Sequence, residues 1–271
     1  MTDRAGVPLR RTGNNGDAPA PTLLLIDGHN LLFQMFFGMP ARIRNKEGKA
    51  IQGTLGFTGA LLKIVRRVSP THLLVLFDGE HPGGRAELDP AYKANRVDYT
   101  AVPDDDNPFS QLPDIVAALD FMGIRHAETT DGETDDAIAG YVGRYRGEHT
   151  VLCDTAYVLD RFGISPGLFA DFKALVGDPS DNIKGADRVG PKTAAALLHR
   201  FGGLEEILQD ADTIGQAAVR ASIQASADRL RMNARLIRLR GGGALPFDIG
   251  ELAYQDSGMT TNEVLVGIGL K

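Results

Sequence analysis

Seven acidic residues of this chain stand where a carboxylate could hold a cation. Two follow short apolar runs, three crowd one stretch, and two stand three residues apart: Asp27, Asp78, Glu133, Asp135, Asp136, Asp178 and Asp181. Hard oxygen ligands suit Mg²⁺ or Mn²⁺, and no histidine or cysteine recurs with zinc spacing. Two such ions about 3.5–4 Å apart can activate a water and stabilise the attacking and leaving oxygens of a phosphodiester. The carboxylates therefore predict a site for two Mg²⁺ or Mn²⁺ ions.

The acidic stretch that begins at Glu133 has an ordinary explanation as well. Acidic side chains in the first turn of a helix complement the helix dipole. Against this, three carboxylates in four residues repel one another unless a cation lies among them. The sequence leaves both explanations open.

The stretch GDPSDNIKGADRVGPKTAAALL, residues 177–198, joins an acidic loop to a turn rich in glycine. Glycines allow backbone N–H groups to approach phosphate oxygens, and a helix N-terminus adds partial positive charge. Pro191 suits the first turn of the helix that follows. This is the pattern of a helix-hairpin-helix that grips a nucleic-acid backbone without reading its sequence. The predicted DNA-binding residues here are Gly185, Val189, Gly190, Lys192 and Thr193.

Residues 81–109 are rich in glycine, proline and charge, and only RAELDPAYKANR within them suggests a short helix. A long surface loop is the plain interpretation. Long loops in compact domains are often functional, however. Four residues of this one could present cations and an aromatic ring to a nucleic-acid strand: Arg85, Tyr92, Lys93 and Arg96.

The elements that would position these groups form an α/β pattern. Apolar runs at 22–30 and 72–79 predict buried strands, and a helical pattern lies between them at 54–68. Strand, helix and strand of this length form a βαβ unit, so the strands should be parallel. Asp27 and Asp78 then lie at carboxyl ends of strands, where open α/β sheets place their sites. Further elements are expected in the order helix 111–123, strand 124–129, a helix from 131, and a strand at 150–154.

The expected domain organisation follows from these elements. Residues 1–21 predict a flexible tail, 22–160 a nuclease domain with a mostly parallel central sheet flanked by helices, and 161–271 a DNA-binding subdomain with C-terminal helices. The lone Cys153 excludes an internal disulfide and favours a cytoplasmic location. No run reaches the roughly 18 apolar residues of a membrane span. The net charge of −6 does not exclude nucleic acid, because bound cations reverse the local sign.

Five stretches together resemble the bacterial 5′–3′ exonucleases of the flap endonuclease superfamily. In chain order they are LLLIDGHN, VLFDG, YKANR, GETDDAIAGYV and GDPSDNIKGADRVGPKTAAALL. The resemblance covers roughly residues 22–205, and the tail TTNEVLVGIGLK is similar to short stand-alone members.

The resemblance implies a nuclease domain with a helix-3-turn-helix DNA-binding motif and a basic arch. It implies divalent-metal cleavage of DNA with 5′ flaps or 5′ ends, including the removal of RNA primers, by a monomer. The seven acidic residues fall on the family's ligand positions. Lys93 and Arg96 match the arch residues that steer the scissile phosphate, and the hairpin would hold a K⁺ ion.

The chain departs from the family pattern in one segment. Members carry a strand that runs into an Asp-x-Asp motif between the acidic helix and the downstream loop. Here that segment is missing near Gly143 and Arg144, and with it two metal-holding aspartates. The strand-like run TVLCD offers Asp154 as a replacement ligand, but this is disfavoured because TVLCDTAYV already resembles a separate piece of the short family members.

Three functions are therefore compared. The first is an active metal-dependent 5′–3′ exonuclease or flap endonuclease that acts in replication or repair. The second is a DNA junction-binding protein of the same family with weakened or lost catalysis. The third, a small metal-dependent ribonuclease on a related scaffold, is disfavoured because such enzymes do not generally carry the hairpin.

Overall fold

The computed structural model describes residues 21–79, 84–130, 132–145, 150–151 and 164–271. These residues belong to two compact units. The first comprises Met1–Pro82, Asp98–Leu152 and Arg240–Lys271, and the second comprises Gly83–Val97 and Cys153–Leu239. The units do not follow the predicted boundary at residue 160. Gly83–Val97 belongs to the second unit, and Arg240–Lys271 belongs to the first.

The first unit contains a parallel four-stranded sheet in the order β3-β2-β1-β4. Its strands are β1 (Thr22–Asp27), β2 (His72–Phe77), β3 (Arg125–Glu128) and β4 (Thr150–Val151). Leu23 pairs with His72 and Asp27 with Leu76, so the predicted parallel βαβ unit is confirmed. β4 is the described part of the expected strand at 150–154, whereas Asp154 lies outside the described residues.

The helices of the first unit cover both faces of the sheet. They are α1 (Gly28–Gly38), α2 (Gln52–Val68), α4 (Leu112–Phe121), α5 (Thr134–Tyr145) and the C-terminal α11 (Thr261–Gly267). Short 3₁₀ helices lie at Tyr99–Ala101, Pro108–Gln111 and Ile249–Leu252.

β2 shows why the sheet is buried on both sides. Five of its six residues are buried, as expected for a central parallel strand. Leu73 and Val75 join the core formed with α1, α2 and α4, whereas Leu74 and Leu76 join Tyr141 of α5 on the other face. The alternation follows from the two-residue period of a strand. The apolar run therefore fixes the strand end, and with it the place of Asp78.

The second unit is mainly helical. Its helices are α3 (Arg85–Leu88), α6 (Phe169–Val176), α7 (Pro191–Phe201), α8 (Leu204–Gln209), α9 (Ala217–Ala225) and α10 (Ala227–Ile237). A small antiparallel pair, β5 (Gly177–Asp178) and β6 (Ile183–Lys184), follows α6, with short 3₁₀ helices at Pro166–Leu168, Pro179–Asp181 and Ala211–Thr213. The stretch TAYVLDRFG, whose sequence favours a helix, lies outside the described residues. In the part of the chain that is described, no helix has the length and apolar character needed to cross a membrane.

Candidate metal centre and nucleic-acid interface

Asp27 ends β1 and caps α1. Its Oδ1 accepts a hydrogen bond from the Asn30 backbone N–H at 2.9 Å. Burial raises the pKa of the Asp27 carboxyl above its usual range, and the nearby negative charge of Asp78 raises it further. The two carboxylates therefore repel each other across the ends of neighbouring strands.

Asp78 follows β2 directly. Its Oδ1 accepts a hydrogen bond from the Thr134 backbone N–H at 2.8 Å, and its own N–H donates to His29 Nδ1 at 3.2 Å. Burial acts to raise the pKa of the Asp78 carboxyl, but His29 and the Thr134 N–H outweigh burial, so the pKa lies well below its usual range. Asp78 is thus held as an anion.

The three acidic residues near the start of α5 differ in how deeply they are buried. Asp135 is exposed, Glu133 is half-buried and Asp136 is 6% exposed. Asp136 Oδ1 accepts from the Arg240 backbone N–H at 2.7 Å, and its Oδ2 accepts from the Glu133 N–H at 3.4 Å. Asp136 therefore anchors the chain at Arg240 and the helix start, a structural role that the sequence left open for this stretch.

The residues around Asp27 and Asp78 fit a divalent cation. Two carboxylates of like charge lie near each other at the carboxyl ends of neighbouring strands, and each accepts a backbone N–H through its Oδ1. Mg²⁺ is commonly held by one or two carboxylates together with waters and substrate phosphates. Among the described residues, however, no group of three or more Asp, Glu, His or Cys side chains is arranged to hold a metal ion.

The other two predicted ligands, Asp178 and Asp181, belong to the second unit, and each pairs with a protein cation. Asp178 Oδ2 lies 2.7 Å from Lys173 Nζ. Burial acts to raise the pKa of the Asp178 carboxyl, but Lys173 and Ser180 lower it below its usual range. Asp181 Oδ1 lies 2.9 Å from Arg96 Nη2.

The arch residues are bound to the same loop. The Lys93 N–H donates to the Asp181 carbonyl at 2.9 Å, Asn95 Nδ2 donates to the Pro179 carbonyl at 2.9 Å, and Asn182 Nδ2 donates to the Ala91 carbonyl at 2.8 Å. These bonds bring Lys93 and Arg96 together with Asp181 within the second unit.

Arg85 and Tyr92 do not lie on the surface, where the sequence placed them. Arg85 is 2% exposed, and its Nε donates to the Leu236 carbonyl at 2.7 Å, near the C-terminus of α10. Tyr92 is 8% exposed and packs with Ile183 and Leu236. Because both side chains fill the interior of the second unit, we withdraw them as contacts to a nucleic-acid strand.

The predicted hairpin lies between β6 and α7. Gly190 caps α7, Pro191 occupies its first turn, and open space surrounds the Gly190 Cα where a side chain would begin. Gly185 is different, because a Cβ there would lie 2.3 Å from the carbonyl carbon of Val176. An open groove of about 430 Å³ is lined by Val176 and residues 184–190.

The hairpin side chains differ in what they could offer a phosphate. Lys192 is exposed and Thr193 is half-buried at the start of α7. Val189 is 4% exposed and packs in the core of the second unit, so its side chain cannot be a DNA contact. Its contribution would come from the backbone alone.

Sequence reasoning missed two residues that contact the predicted ligands. His29 follows Asp27 by two positions in IDGHN, and Lys173 precedes Asp178 by five. His29 could have been suspected from its place beside Asp27. Lys173 lies on α6 with no pattern that marks it.

Two family models cover most of the chain. The model of the 5′-3′ exonuclease N-terminal resolvase-like domain matches residues 22–156, and the model of the 5′-3′ exonuclease C-terminal SAM fold matches residues 164–259. The chain belongs to the 5′–3′ exonuclease family. The predicted family and the predicted fold class, an α/β domain with a helix-hairpin-helix type of subdomain, are confirmed.

Curated relatives of this family member include DNA polymerases I. The thermostable enzyme of Thermus thermophilus is 32% identical over 259 residues, which cover 86% of this chain and 30% of that protein. The enzyme of Rhizobium leguminosarum is 31% identical, with 86% of this chain and 26% of that protein covered. The chain thus spans about a third of these relatives or less.

Solved structures show the same fold at low sequence identity. T5 5′-exonuclease with bound zinc has a TM-score of 0.64 and 20% identity, and the match covers 81% of this chain and 90% of that one. The catalytic core of Rad2 in complex with a DNA substrate has a TM-score of 0.53 and 10% identity, with 92% and 93% covered. At these identities the likeness concerns the fold.

Proposed function

We propose that this exonuclease-family chain is a metal-dependent 5′–3′ exonuclease and flap endonuclease that hydrolyses DNA phosphodiester bonds during replication or repair. The observation that carries the proposal is the pair Asp27 and Asp78, two mutually repelling carboxylates at adjacent carboxyl ends of a parallel sheet. Its substrates would be DNA with 5′ flaps or 5′ ends, and also RNA primers at such ends. The protein would act as a monomer in the cytoplasm.

The first unit would hold the divalent cation through Asp27 and Asp78, and Glu133 and Asp135 near the start of α5 are the further proposed ligands in this unit. Because burial and repulsion raise the pKa of Asp27, a cation there would relieve an unfavourable charge. Mg²⁺ or Mn²⁺ bound at such oxygen ligands supplies an activated water and charge stabilisation for a phosphodiester. Asp178 and Asp181 are the proposed ligands of a second ion, and each would have to exchange a protein cation for the metal.

The second unit would bind the nucleic acid. Lys93 and Arg96 would contact the phosphates next to the scissile bond. The backbone at Gly185, Val189 and Gly190 would approach the duplex backbone, since Gly190 carries no side chain and the space around it is open. Lys192 and Thr193 would add donors, and the hairpin would hold a K⁺ ion that supplies positive charge near the DNA backbone.

A second candidate is a DNA junction-binding protein with weakened or lost catalysis. One observation favours it: among the described residues no three candidate ligands converge, and Asp136, Asp178 and Asp181 are all engaged by protein donors. The missing Asp-x-Asp segment points the same way.

Cleavage of a 5′-labelled flap substrate across a Mg²⁺ and Mn²⁺ titration separates the two candidates. Asp27→Ala is the control, because it removes a proposed ligand at the start of α1. Cleavage by the wild type that vanishes in Asp27→Ala supports the nuclease. Retarded but uncut DNA at every metal concentration supports the binding protein and overturns the nuclease.

A further inference from the structure

His29 lies at the start of α1 and contacts the end of β2. Its Nδ1 accepts the backbone N–H of Asp78 at 3.2 Å, and its ring packs edge-to-face against Phe77 and Phe109, with centroid distances of 5.3 and 5.2 Å. We propose that His29 is a positioning residue that fixes Asp78 at the metal site through this hydrogen bond. That Asp78 binds a metal rests on the proposed function, whereas the hydrogen bond between His29 and Asp78 does not.

The chemistry of the ring explains why a histidine stands here. Nδ1 can accept the Asp78 N–H in the ring tautomer that carries its proton on Nε2. Nε2 is buried and has no partner among the described residues, which costs stability. An apolar side chain of similar size would avoid that cost, but it would leave the Asp78 N–H without an acceptor. The Nδ1 acceptor is therefore what the histidine supplies.

Asp78 is fixed from two sides. The Thr134 N–H donates to Oδ1 at 2.8 Å, while His29 holds the backbone. Oδ2 lies 3.8 Å from His29 Nδ1, which is longer than a hydrogen bond. Residues that orient a metal ligand in this way typically set its affinity for the metal.

The close approach of α1 to β2 limits how far the ring can move. A Cβ on Gly28 would lie 2.3 Å from Phe77 Cε1, so the helix start is in direct contact with the strand end. A residue at position 29 must therefore place its acceptor at a defined distance from the chain. Asparagine can do so, since its Oδ1 is as many bonds from Cβ as Nδ1 is. In glutamine the oxygen is one bond further, at the place of Nε2.

The test compares His29→Asn with His29→Gln in the full chain. Mn²⁺ binding is measured by electron paramagnetic resonance without DNA, and protection of the Asp78 N–H by hydrogen exchange without metal. His29→Gln is expected to weaken Mn²⁺ binding by roughly 10–100-fold and to lower the protection of Asp78, whereas His29→Asn stays near wild type. Far-UV circular dichroism without metal should be the same in both, which excludes general unfolding.

The proposal is overturned if the two variants bind Mn²⁺ and protect Asp78 equally, whether both match the wild type or both fall. Failure of the proposed function has a different signature. In that case the wild type leaves flap DNA uncut, while Asp78 protection still distinguishes His29→Gln from His29→Asn.

Discussion

Arg96 and Asp181 form an ion pair of 2.9 Å between residues 85 positions apart in the chain. One is the proposed contact to the scissile phosphate and the other a proposed metal ligand. Neither can serve its proposed role fully while it is paired with the other. In the proposed function, binding would exchange each partner for another, since Arg96 would pair with phosphate and Asp181 with a metal ion.

A double-mutant cycle tests the Arg96–Asp181 pair. The two side chains are 53% and 25% exposed, so their coupling should contribute only about 0.2–1 kcal/mol to the free energy of unfolding. Urea unfolding of Arg96→Ala, Asp181→Ala and the double variant in chelator measures it. Additive losses would mean that the pair does not form in solution.

Asp181→Ala alone has a second expected effect. If Asp181 binds metal, cleavage should fall far more than DNA affinity, because metal ligands act on the reaction and the hairpin retains the grip. Flap cleavage and gel retardation on the same preparation give the comparison. An equal loss of cleavage and of DNA affinity would mean that Asp181 stabilises its loop and is not a metal ligand.

Replacing both Lys93 and Arg96 with alanine should flatten the salt dependence of DNA binding. Each phosphate contact contributes about 0.9 to the slope of log affinity against log salt, so the slope should fall by about 1.8. Fluorescence anisotropy across a KCl series measures it. The matched control is Lys46→Ala with Lys63→Ala, which removes the same charge from exposed positions of the first unit. Equal slopes for the two double variants would contradict the role of the arch.

Gly190→Asp should abolish duplex binding and leave the fold intact. No atom lies within 4 Å of a Cβ added at Gly190, and aspartate is a favourable N-cap for α7. The loss of binding would thus come from the negative charge facing phosphate. Anisotropy with duplex DNA and thermal unfolding check both halves, with Gly190→Ala as the uncharged control. Unchanged binding of Gly190→Asp to duplex DNA would mean that the hairpin does not contact the duplex.

Asp27→Asn and Asp78→Asn should shift stability in opposite directions at pH 7 in chelator. The folded pKa of Asp78 is depressed, so its ionised form contributes stability above the unfolded pKa, which is lost as the pH falls through the folded pKa. The folded pKa of Asp27 is raised, so its ionised form opposes folding at neutral pH, and that penalty is relieved as the pH falls through the folded pKa. Asp27→Asn should therefore raise the melting temperature and Asp78→Asn lower it. Shifts of the same sign would contradict the electrostatics of the site.

Arg85→Met should destabilise the protein without changing the salt dependence of DNA binding. The substitution retains an apolar stem but leaves the Leu236 carbonyl without its donor, at a cost of roughly 1–3 kcal/mol. Denaturant unfolding and the KCl series measure the two effects. A flattened slope with unchanged stability would mean that Arg85 contacts DNA and is not needed for the fold.

The parts of the site that the sequence predicts are those encoded locally. An apolar run ending in Asp-Gly predicts both a strand and the place of its carboxylate, and Asp27 and Asp78 lie where this rule puts them. The hairpin is equally local, because Gly190 and Pro191 define the start of α7.

The parts that the sequence did not predict depend on distant partners. Asp136 meets the backbone of Arg240, 104 residues away, and Arg85 meets Leu236, 151 residues away. No periodicity or spacing near Asp136 or Arg85 indicates these contacts. For the same reason an acidic first turn and a basic loop residue looked functional, although the fold uses both to join segments.

The interleaving of the two units has a consequence for biosynthesis. A ribosome releases residues in order, so the sheet of the first unit is made long before its last segment, Arg240–Lys271. That segment supplies Val264, fully buried in the core, and the Tyr254 N–H that bonds to the Thr71 carbonyl at 2.9 Å. During synthesis the core beside the sheet therefore lacks this segment until the whole second unit has been translated. No single cut in the chain separates the two units, so neither unit corresponds to one continuous piece of the sequence.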